Sequence, residues 1–541
     1  MSDTRASSLS IANLWVAFIA FLAAALMGVY QVAERSGLFP SIESVEIYFA
    51  SVSTHGVLMG FVLTTFVVIG TGYFWATNSL KQPLWGGNGL GWTCFAVTVV
   101  GVLMAAFPLL TGQASILYTF YPPLQAHPLF YIGATLLVVG SWIWCLQMIM
   151  MTLSWKKANP GRPVPLVMFG VTANATMWLW TSVGVALEML FQLIPWSLGF
   201  KETVDVGLAR TLFSWTLHAI VYFWLFPAYI AMYTLLPKAA GGRLFSDEMG
   251  RIAFIMLMVI SVPIGMHHLY MDPFQAAGWK ALHMFGTFMV ALPTLFTGFT
   301  IIASLEVAGR LRGGKGLFGW IKALPWGDPL VAAAGLSLLL LTLGGWGGLI
   351  NASYAMNTLV HNTQWVTGHF HLIFAGTAVI LYFGIAYHIW PKLTGKQLAA
   401  KGLAITQLWL WFIGMIITTA PWHIIGLQGQ PRRISSTPYD TPLVQTWQAG
   451  ETIMIVGAVI LLISALMLIV VLLKTHGNAQ REDDRELGFA EPIHPVLSLP
   501  ASLNNFAIWN WIILIYIVAS YGYPIAQFFM MPTYGAFPWS I

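Results

Sequence analysis

Histidines are the residues of this chain whose type and spacing could bind metal. His369 and His371 stand two positions apart in HNTQWVTGHFHLIFAG, within a long apolar run. An α-helix turns about 100° per residue, so these imidazoles point to nearly opposite faces of one helix. One helix therefore offers one nitrogen ligand to each of its two sides.

The remaining candidate ligands lie upstream. His218 and Tyr222 are four residues apart in WTLHAIVYFWLFPAYIAMY, so they share one helix face. His267 and His268 are adjacent, and His55 stands in STHG, early in another apolar stretch. We interpret the helix of His369 and His371 as a divider that carries one ligand on each side. One of its sides would face a cluster of His218, His267 and His268.

The composition is that of an integral membrane protein. Of the 541 residues, 58% are hydrophobic and only 8% are charged, whereas soluble domains contain about 25% charged residues. The two cysteines, Cys94 and Cys145, lie in apolar runs, which excludes a Cys-rich metal site and a disulfide framework and predicts buried free thiols. The basic residues collect in connections between apolar runs, so the net charge of +5 does not indicate a nucleic-acid partner. The polar start and the long apolar run after it predict no cleavable signal.

A membrane-spanning helix needs about 20 apolar residues. By that criterion we predict an all-α polytopic bundle of about 13 transmembrane helices, forming a single domain over residues 1–541. No soluble domain and no internal repeat is visible. The predicted spans are 11–33, 50–76, 91–112, 127–153, 165–195, 208–236, 251–269, 280–306, 329–351, 358–390, 403–427, 450–473 and 505–530.

The distribution of positive charge orients this bundle. With the N-terminus in the cytoplasm and the C-terminus outside, cytoplasmic segments hold all but six of the 24 lysines and arginines. The six on the outer side are Arg35, Lys201, Arg210, Lys280, Arg432 and Arg433. This orientation places His369 about 16 Å below the outer end of its predicted span, at 1.5 Å per residue. All six candidate histidines then share the outer half of the bilayer.

Six imidazoles at one depth indicate a metal site rather than separate packing residues. No carboxylate or thiolate joins them, which favours haem iron and copper over magnesium or calcium. Zinc fits the ligand type, although no HExxH helix is present. A transporter without cofactors, using the histidines for ion coupling, is the alternative from a different functional class.

These motifs together resemble subunit I of the haem–copper oxidases. The resemblance rests on HNTQWVTGHFH, LHAIVY, the adjacent histidine pair and STHG, and it extends over nearly the whole chain. The B-type branch is the most similar, judged by VYFWLFPAYIAMYTLLPKAAGGRLFSDEMGR and ASLEVAGRLRGG. It implies the catalytic subunit of a respiratory terminal oxidase, which reduces O2 to water with four electrons and moves protons outward.

The resemblance also assigns the ligands. His55 and His371 would be the axial ligands of a low-spin haem of b-type, and His369 the proximal ligand of a high-spin haem of the a- or b-type family. His218, His267 and His268 would hold one copper ion beside the open face of that second haem. In this family, the tyrosine at the position of Tyr222 is joined covalently to the copper-ligand histidine and supplies an electron and a proton.

A proton route is predicted inward of Tyr222. Tyr229 and Tyr233 continue its helix face, at offsets of 11 and 15 from His218. In the eighth predicted span, 280–306, a threonine recurs at every third position from Thr294 to Thr300 and forms a second hydroxyl stripe. A polar file of this kind could carry protons through hydrocarbon, although such hydroxyls also cap or bond to their own helices. The B-type resemblance implies a single path, comprising Tyr229, Tyr233, Ser246, Thr294, Thr297 and Thr300. The acidic residue that the A-type branch uses after the copper ligand is absent, since Ile220 and Val221 occupy that stretch.

Two basic residues are predicted to bind haem carboxylates. Arg432 and Arg433 form the only basic pair on the predicted outer surface, and adjacent guanidiniums suit haem propionates. His361 and Asn357 would lie near the same groups; Asn357 cannot take up a proton there. Glu188, the one acid deep in the fifth span, is either functional or a protonated structural residue. The remaining histidines are predicted to be structural or at the surface: His127, His283, His388, His423, His476 and His494.

The expected partners follow from the same resemblance. No c-type CxxCH motif and no dicopper segment is present, so the chain needs subunit II, carrying a dicopper centre if the donor is cytochrome c, or else a quinol site. O2 and membrane lipid complete the partners, and the expected location is a prokaryotic plasma membrane. The nearest rival function is that of a nitric oxide reductase with non-haem iron in place of copper, against which Tyr222 and the absence of extra carboxylates argue.

Overall fold

The computed structural model describes residues 4–39 and 44–530, and within them it is a bundle of long apolar helices. Twelve helices are long and apolar enough to span a membrane, and a bent pair of helices raises the number to 13. In chain order they are α1 (Ala6–Ser36), α2 (Val45–Leu80), α3 (Gly87–Leu110), α4 (Pro128–Ala158), α5 (Leu166–Ser197), α6 (Val206–Thr234), α7 (Asp247–Ile260 and Val262–Leu269), α8 (Ala277–Leu311), α9 (Pro329–Ala352), α10 (Gln364–Thr394), α11 (Lys401–Leu427), α12 (Val444–His476) and α13 (Ala507–Met530). The predicted all-helical membrane fold is confirmed, and Ile541, predicted to lie outside, is beyond the described residues.

Polar residues and prolines fix where these helices begin. The Asp328 carboxylate accepts hydrogen bonds from the amides of Leu330 and Val331 at the start of α9, where Pro329 is the first helical residue. Close crossings depend on small residues between helices. A Cβ atom at Gly101 of α3 would lie 2.6 Å from the carbonyl oxygen of Gly133 in α4, so only glycine permits this crossing.

The predicted seventh span is a bent pair of helices. It is not one straight helix, because its two parts are bent by 52°. Proline lacks an amide hydrogen and disrupts the helix that precedes it, and Pro263 has non-helical dihedral angles at this break. The second part of α7, Val262–Leu269, is a 3₁₀-helix that carries the adjacent histidine pair. We call it the histidine segment.

The structure corrects the start of the tenth span. The prediction began it at residue 358, but that residue belongs to a separate short helix, Tyr354–Val360, and α10 begins at Gln364. Asn362 has a positive φ of 60°, which breaks the helical path, and the Thr363 hydroxyl caps the new helix. His369 therefore lies five residues into α10, about 8 Å along the helix.

Within the described residues, four π-helical segments interrupt the α-helices, and the periodicity of the sequence did not reveal them. They are Leu58–Leu63 after His55, Met189–Leu193 after Glu188, Leu372–Val379 after His371, and Val518–Gly522 in α13. Such wider turns occur frequently at functional sites. Two of them follow the candidate ligands His55 and His371 within three residues.

Candidate functional site

His218, His267 and His268 lie together inside the bundle. Each offers a ring nitrogen, and these three nitrogens all lie within 4.8 Å of one another. The helix of α6 is interrupted at His218, and the bend of α7 turns the histidine segment against the first half of α6. Gly265 makes this contact possible, because a Cβ atom there would lie 1.7 Å from the carbonyl oxygen of Ser214. The arrangement could hold one metal ion through three nitrogens.

Neighbouring groups set the tautomer of one of these histidines. The Thr287 hydroxyl donates to the carbonyl of His283 at 2.6 Å, so it accepts from His267 Nδ1, which lies 3.0 Å away. With its proton on Nδ1, His267 keeps Nε2 free as a ligand atom. Nε2 of His218 is buried and has no hydrogen-bond partner among the described residues. Buried polar nitrogens are normally paired, so this nitrogen indicates a ligand.

Residues of α8 and α13 hold the histidine segment in place, and the sequence did not predict this. The Tyr521 hydroxyl accepts from the Gly265 amide at 2.9 Å, and His283 Nδ1 accepts from the Met266 amide at 3.1 Å. Tyr521 also stacks on Trp215 with ring centroids 5.7 Å apart. The spacing of His283 and Thr287, four residues apart on one helix face, was the only signal in the sequence.

The two histidines of α10 face different partners. His371 and His55 have ring centroids 6.1 Å apart and are inclined by 30°. Nδ1 of His371 donates to the carbonyl of Thr367 at 2.9 Å, and Nδ1 of His55 donates to that of Ala24 at 2.8 Å. Because each proton is on Nδ1, Nε2 of both rings is free. Two imidazoles on opposite sides of one metal, each at about 2 Å, have centroids about 6 Å apart, which the observed separation fits.

His369 lies on the other side, against α9. Its Nδ1 donates to the carbonyl of Gly344 at 3.2 Å, and a Cβ atom at Gly347 would lie only 2.4 Å from that nitrogen. His369 is also near enough to interact electrostatically with His218, His267 and His268. The ring thus sits in a cradle of glycine backbone between α9 and the cluster, with Nε2 free.

The predicted hydroxyl stripe forms two direct contacts. Tyr222 packs against His218 with ring centroids 4.9 Å apart. The Tyr229 hydroxyl donates to Thr294 Oγ1 at 3.1 Å, and that of Tyr233 donates to Thr297 Oγ1 at 3.2 Å.

The cytoplasmic end of the stripe contains the predicted Thr300 and, beyond it, Ser304, which the sequence did not indicate. Thr300 is buried, and its hydroxyl has no partner in the described part of the chain. Ser304, one turn further, accepts from the Phe245 amide at 2.9 Å, whereas Ser246 caps the start of α7. The stripe therefore extends from Tyr222 to the start of α7.

Positive groups gather at the predicted outer end of α10. Arg432 is half-buried, and its Nε donates to Asn362 Oδ1 at 3.1 Å. Burial and the charge of Arg433 lower the pKa of Arg432 to about 10, so it stays charged at neutral pH. Burial lowers the pKa of His361 to about 4, and the charges of Arg432, Arg210 and Arg433 add to this effect. Arg210, which the sequence did not indicate, also acts on His361, although its own charge is paired with Asp272 at 3.0 Å.

Other predicted residues lie apart from the cluster. Glu188 is fully buried, and neither carboxylate oxygen has a hydrogen-bond partner among the described residues. Asn357 Oδ1 lies 3.2 Å from His361 Nδ1. His423 Nδ1 donates to the carbonyl of Thr419 at 2.7 Å, and His127 caps α4. Cys94 and Cys145 are buried and free, as predicted.

Comparison with known proteins places the chain in a family. The family model described as cytochrome c and quinol oxidase polypeptide I matches residues 8–460. The chain belongs to this family. Cytochrome c oxidase subunit 1 of Thermus thermophilus is 38% identical over 527 residues, covering 95% of the chain and 93% of that protein. The subunit 1 of Thermostichus vulcanus is 25% identical over 456 residues, covering 79% and 77%.

A solved structure agrees with this family assignment. The cryo-EM structure of a haem–copper terminal oxidase dimer superposes with a TM-score of 0.92 at 35% identity, covering 96% of the chain and 92% of that structure. The chain is accordingly the catalytic subunit of a respiratory terminal oxidase, an oxidoreductase that spans the bacterial plasma membrane many times. The predicted function is confirmed, and neither the nitric oxide reductase nor the transporter is favoured. Haem and copper are the cofactors of this family.

Proposed function

We propose that His218, His267 and His268 bind the copper ion of this terminal oxidase. The observation that carries the proposal is the convergence of three ring nitrogens within 4.8 Å, one of them buried without a partner. Three imidazoles and no carboxylate suit copper, and three ligands leave a position for O2. The Thr287 hydroxyl and the Tyr521 contact to Gly265 orient this ligand set.

The haem assignments follow from the two sides of α10. His55 and His371 would hold a low-spin haem of b-type, since their separation fits two axial ligands of one metal. His369, which lies on the cluster side, would hold a high-spin haem of the a- or b-type family through one bond. Two ligands suit an electron-transfer haem, whereas one leaves iron open to O2. When bound, these groups supply electron transfer and O2 reduction.

Arg432 and Arg433 would bind the haem propionates, with His361 beside them. Neither arginine forms an ion pair within the described residues. Like charges placed together are unfavourable unless an anion lies between them, and guanidiniums match carboxylates in shape and charge. The positive region thus fits two carboxylates entering from the low-dielectric interior.

The chain itself would deliver protons to the site. Tyr222 donates a proton from its phenol beside His218, and Tyr229, Tyr233, Thr294, Thr297, Thr300 and Ser246 form the route from the cytoplasm. The hydrogen bonds from Tyr229 to Thr294 and from Tyr233 to Thr297 support this order. Water molecules would bridge the remaining gaps. The single path is a feature of the B-type branch, to which we assign the chain as one domain over 1–541.

The electron donor would reach the chain through another subunit. We propose a partner subunit II that carries a dicopper centre if cytochrome c is the donor; a quinol donor would instead require its own site. The sequence has no c-type CxxCH motif, so electrons must arrive from outside this chain.

Metal and haem analysis of histidine variants tests these assignments. We expect two haems and one copper per parent chain, loss of copper alone in His267→Ala, and loss of the low-spin haem band in His371→Ala. His494→Ala is the matched control, because its side chain is exposed in the connection between α12 and α13. Three irons and no copper would show instead a nitric oxide reductase type of centre. Full copper in His267→Ala would refute the copper assignment.

A further inference from the structure

A buried ion pair lies at the predicted outer end of the bundle, beside the start of α10. Arg35, in the last turn of α1, donates from Nη2 to Glu451 Oε1 of α12 at 2.8 Å, and their side chains are 8% and 0% exposed. Gln430 Nε2 donates to the same carboxylate oxygen at 2.9 Å. The free-energy cost of removing two charges from water can exceed the energy of their attraction. A buried ion pair is therefore weak evidence of a stabilising role.

This pair is connected to a candidate haem ligand through Gln364. The groups around the Gln364 amide orient its oxygen toward Arg35, from which it accepts at 2.6 Å, and its nitrogen toward Thr367 Oγ1 at 3.2 Å. The carbonyl of Thr367 in turn accepts from His371 Nδ1 at 2.9 Å. The backbone N–H of Gln364 also donates to the backbone carbonyl of Gln430 at 2.9 Å. Arg35, Glu451, Gln430 and Gln364 are all buried, so this network is fixed beside His371.

We infer that the Arg35–Glu451 pair sets the reduction potential of the low-spin haem that His371 would hold. The inference rests on the proposed function. One electron arriving from the donor lowers the charge of the haem site by one, so a nearby guanidinium favours the reduced form and a nearby carboxylate the oxidised form. In a medium of low dielectric such effects are large and poorly screened. Arg35 is close enough to His371 to interact electrostatically with it.

The ion pair also influences the orientation of the His371 imidazole. Thr367 is held by Gln364 at its side chain and holds His371 at its carbonyl, so the orientation of the axial imidazole depends on this network. Partners of a ligand histidine tune both its orientation and its basicity. Arg35 and Glu451 are therefore positioning residues that act on the haem through charge and through α10.

The test is a spectroelectrochemical titration of the low-spin haem in the purified complex. Glu451→Gln leaves the charge of Arg35 uncompensated and is expected to raise the midpoint potential. Arg35→Gln is expected to lower it, and the double variant should return toward the parent. We expect each single variant to change the ratio of reduced to oxidised haem about tenfold at fixed potential, which is about 59 mV for one electron.

Asp247→Asn is the matched control. It disrupts the other buried ion pair of the described residues, Arg251–Asp247 at 2.5 Å, which contacts backbone carbonyls and no candidate ligand, so the potential should not move. Single-variant shifts of the same sign, or no shift in either variant, would overturn the inference. If Arg35→Gln does not assemble, Glu451→Gln alone decides by the sign of its shift. Absence of a low-spin haem from the parent would instead refute the proposed function.

Discussion

Gly347 offers a direct way to displace the imidazole of His369 without changing it. A Cβ atom at Gly347 would lie 2.4 Å from His369 Nδ1 and 3.0 Å from its Cγ, whereas ordinary contacts begin at 3.4 Å. Gly347→Ala must therefore move the ring or α9 by about 1 Å, and ligand sites tolerate about 0.5 Å. We expect loss of the high-spin haem.

The assay is the carbon monoxide difference spectrum of the reduced complex, which reports the haem with an open position. Gly347→Ala should lose most of this signal and keep the low-spin band, because His55 and His371 lie on the other side of α10. Gly345→Ala is the matched control: it makes the same change two residues away on α9, where nothing lies within 4 Å of the added atom. Unchanged carbon monoxide binding in Gly347→Ala would contradict the role of His369.

Tyr521→Phe removes the hydrogen-bond acceptor of the Gly265 amide, which costs about 1–3 kcal/mol. A chelator should therefore remove copper from this variant faster than from the parent. Tyr516→Phe, at an exposed position of the same helix, is the control, and equal rates in the two variants would contradict the role of α13. Thr300→Val should slow oxygen consumption severalfold with unchanged haem spectra, because the proton route loses a hydroxyl; unchanged turnover would remove Thr300 from the route. A hydrogen bond from the Glu486 amide, with the Lys392 ammonium, holds the pKa of Asp484 below its usual value. This group therefore stabilises the 477–500 connection above about pH 4, and the stabilisation is lost as the pH falls. Limited proteolysis should show faster cleavage there in acid, and in Asp484→Asn at neutral pH; a flat pH profile would argue against this contact.

The positive region at the outer end of α10 could be predicted only in part from the sequence. Adjacent guanidiniums at 432 and 433 are visible in the sequence, and their character as anion ligands follows from charge and shape. Arg210 lies far away in the chain, and only the fold brings it near His361. The sequence also did not show which glycine contacts His369. Gly345 and Gly347 lie in the same glycine-rich stretch, and only the fold places the His369 ring against Gly347.

The sequence by itself determined the number and order of the apolar helices, because spanning hydrocarbon requires about 20 apolar residues, and that property is local. It also determined that His369 and His371 face opposite sides, because the turn of a helix depends on spacing alone. The sequence predicted that His218, His267 and His268 form a cluster. Tertiary structure alone decided that their ring nitrogens lie within 4.8 Å of one another, that α7 bends at Pro263, and that Tyr521 and Thr287 orient the histidine segment. These contacts join helices distant in the chain, and packing of side chains into one bundle, rather than any local preference, sets their distances.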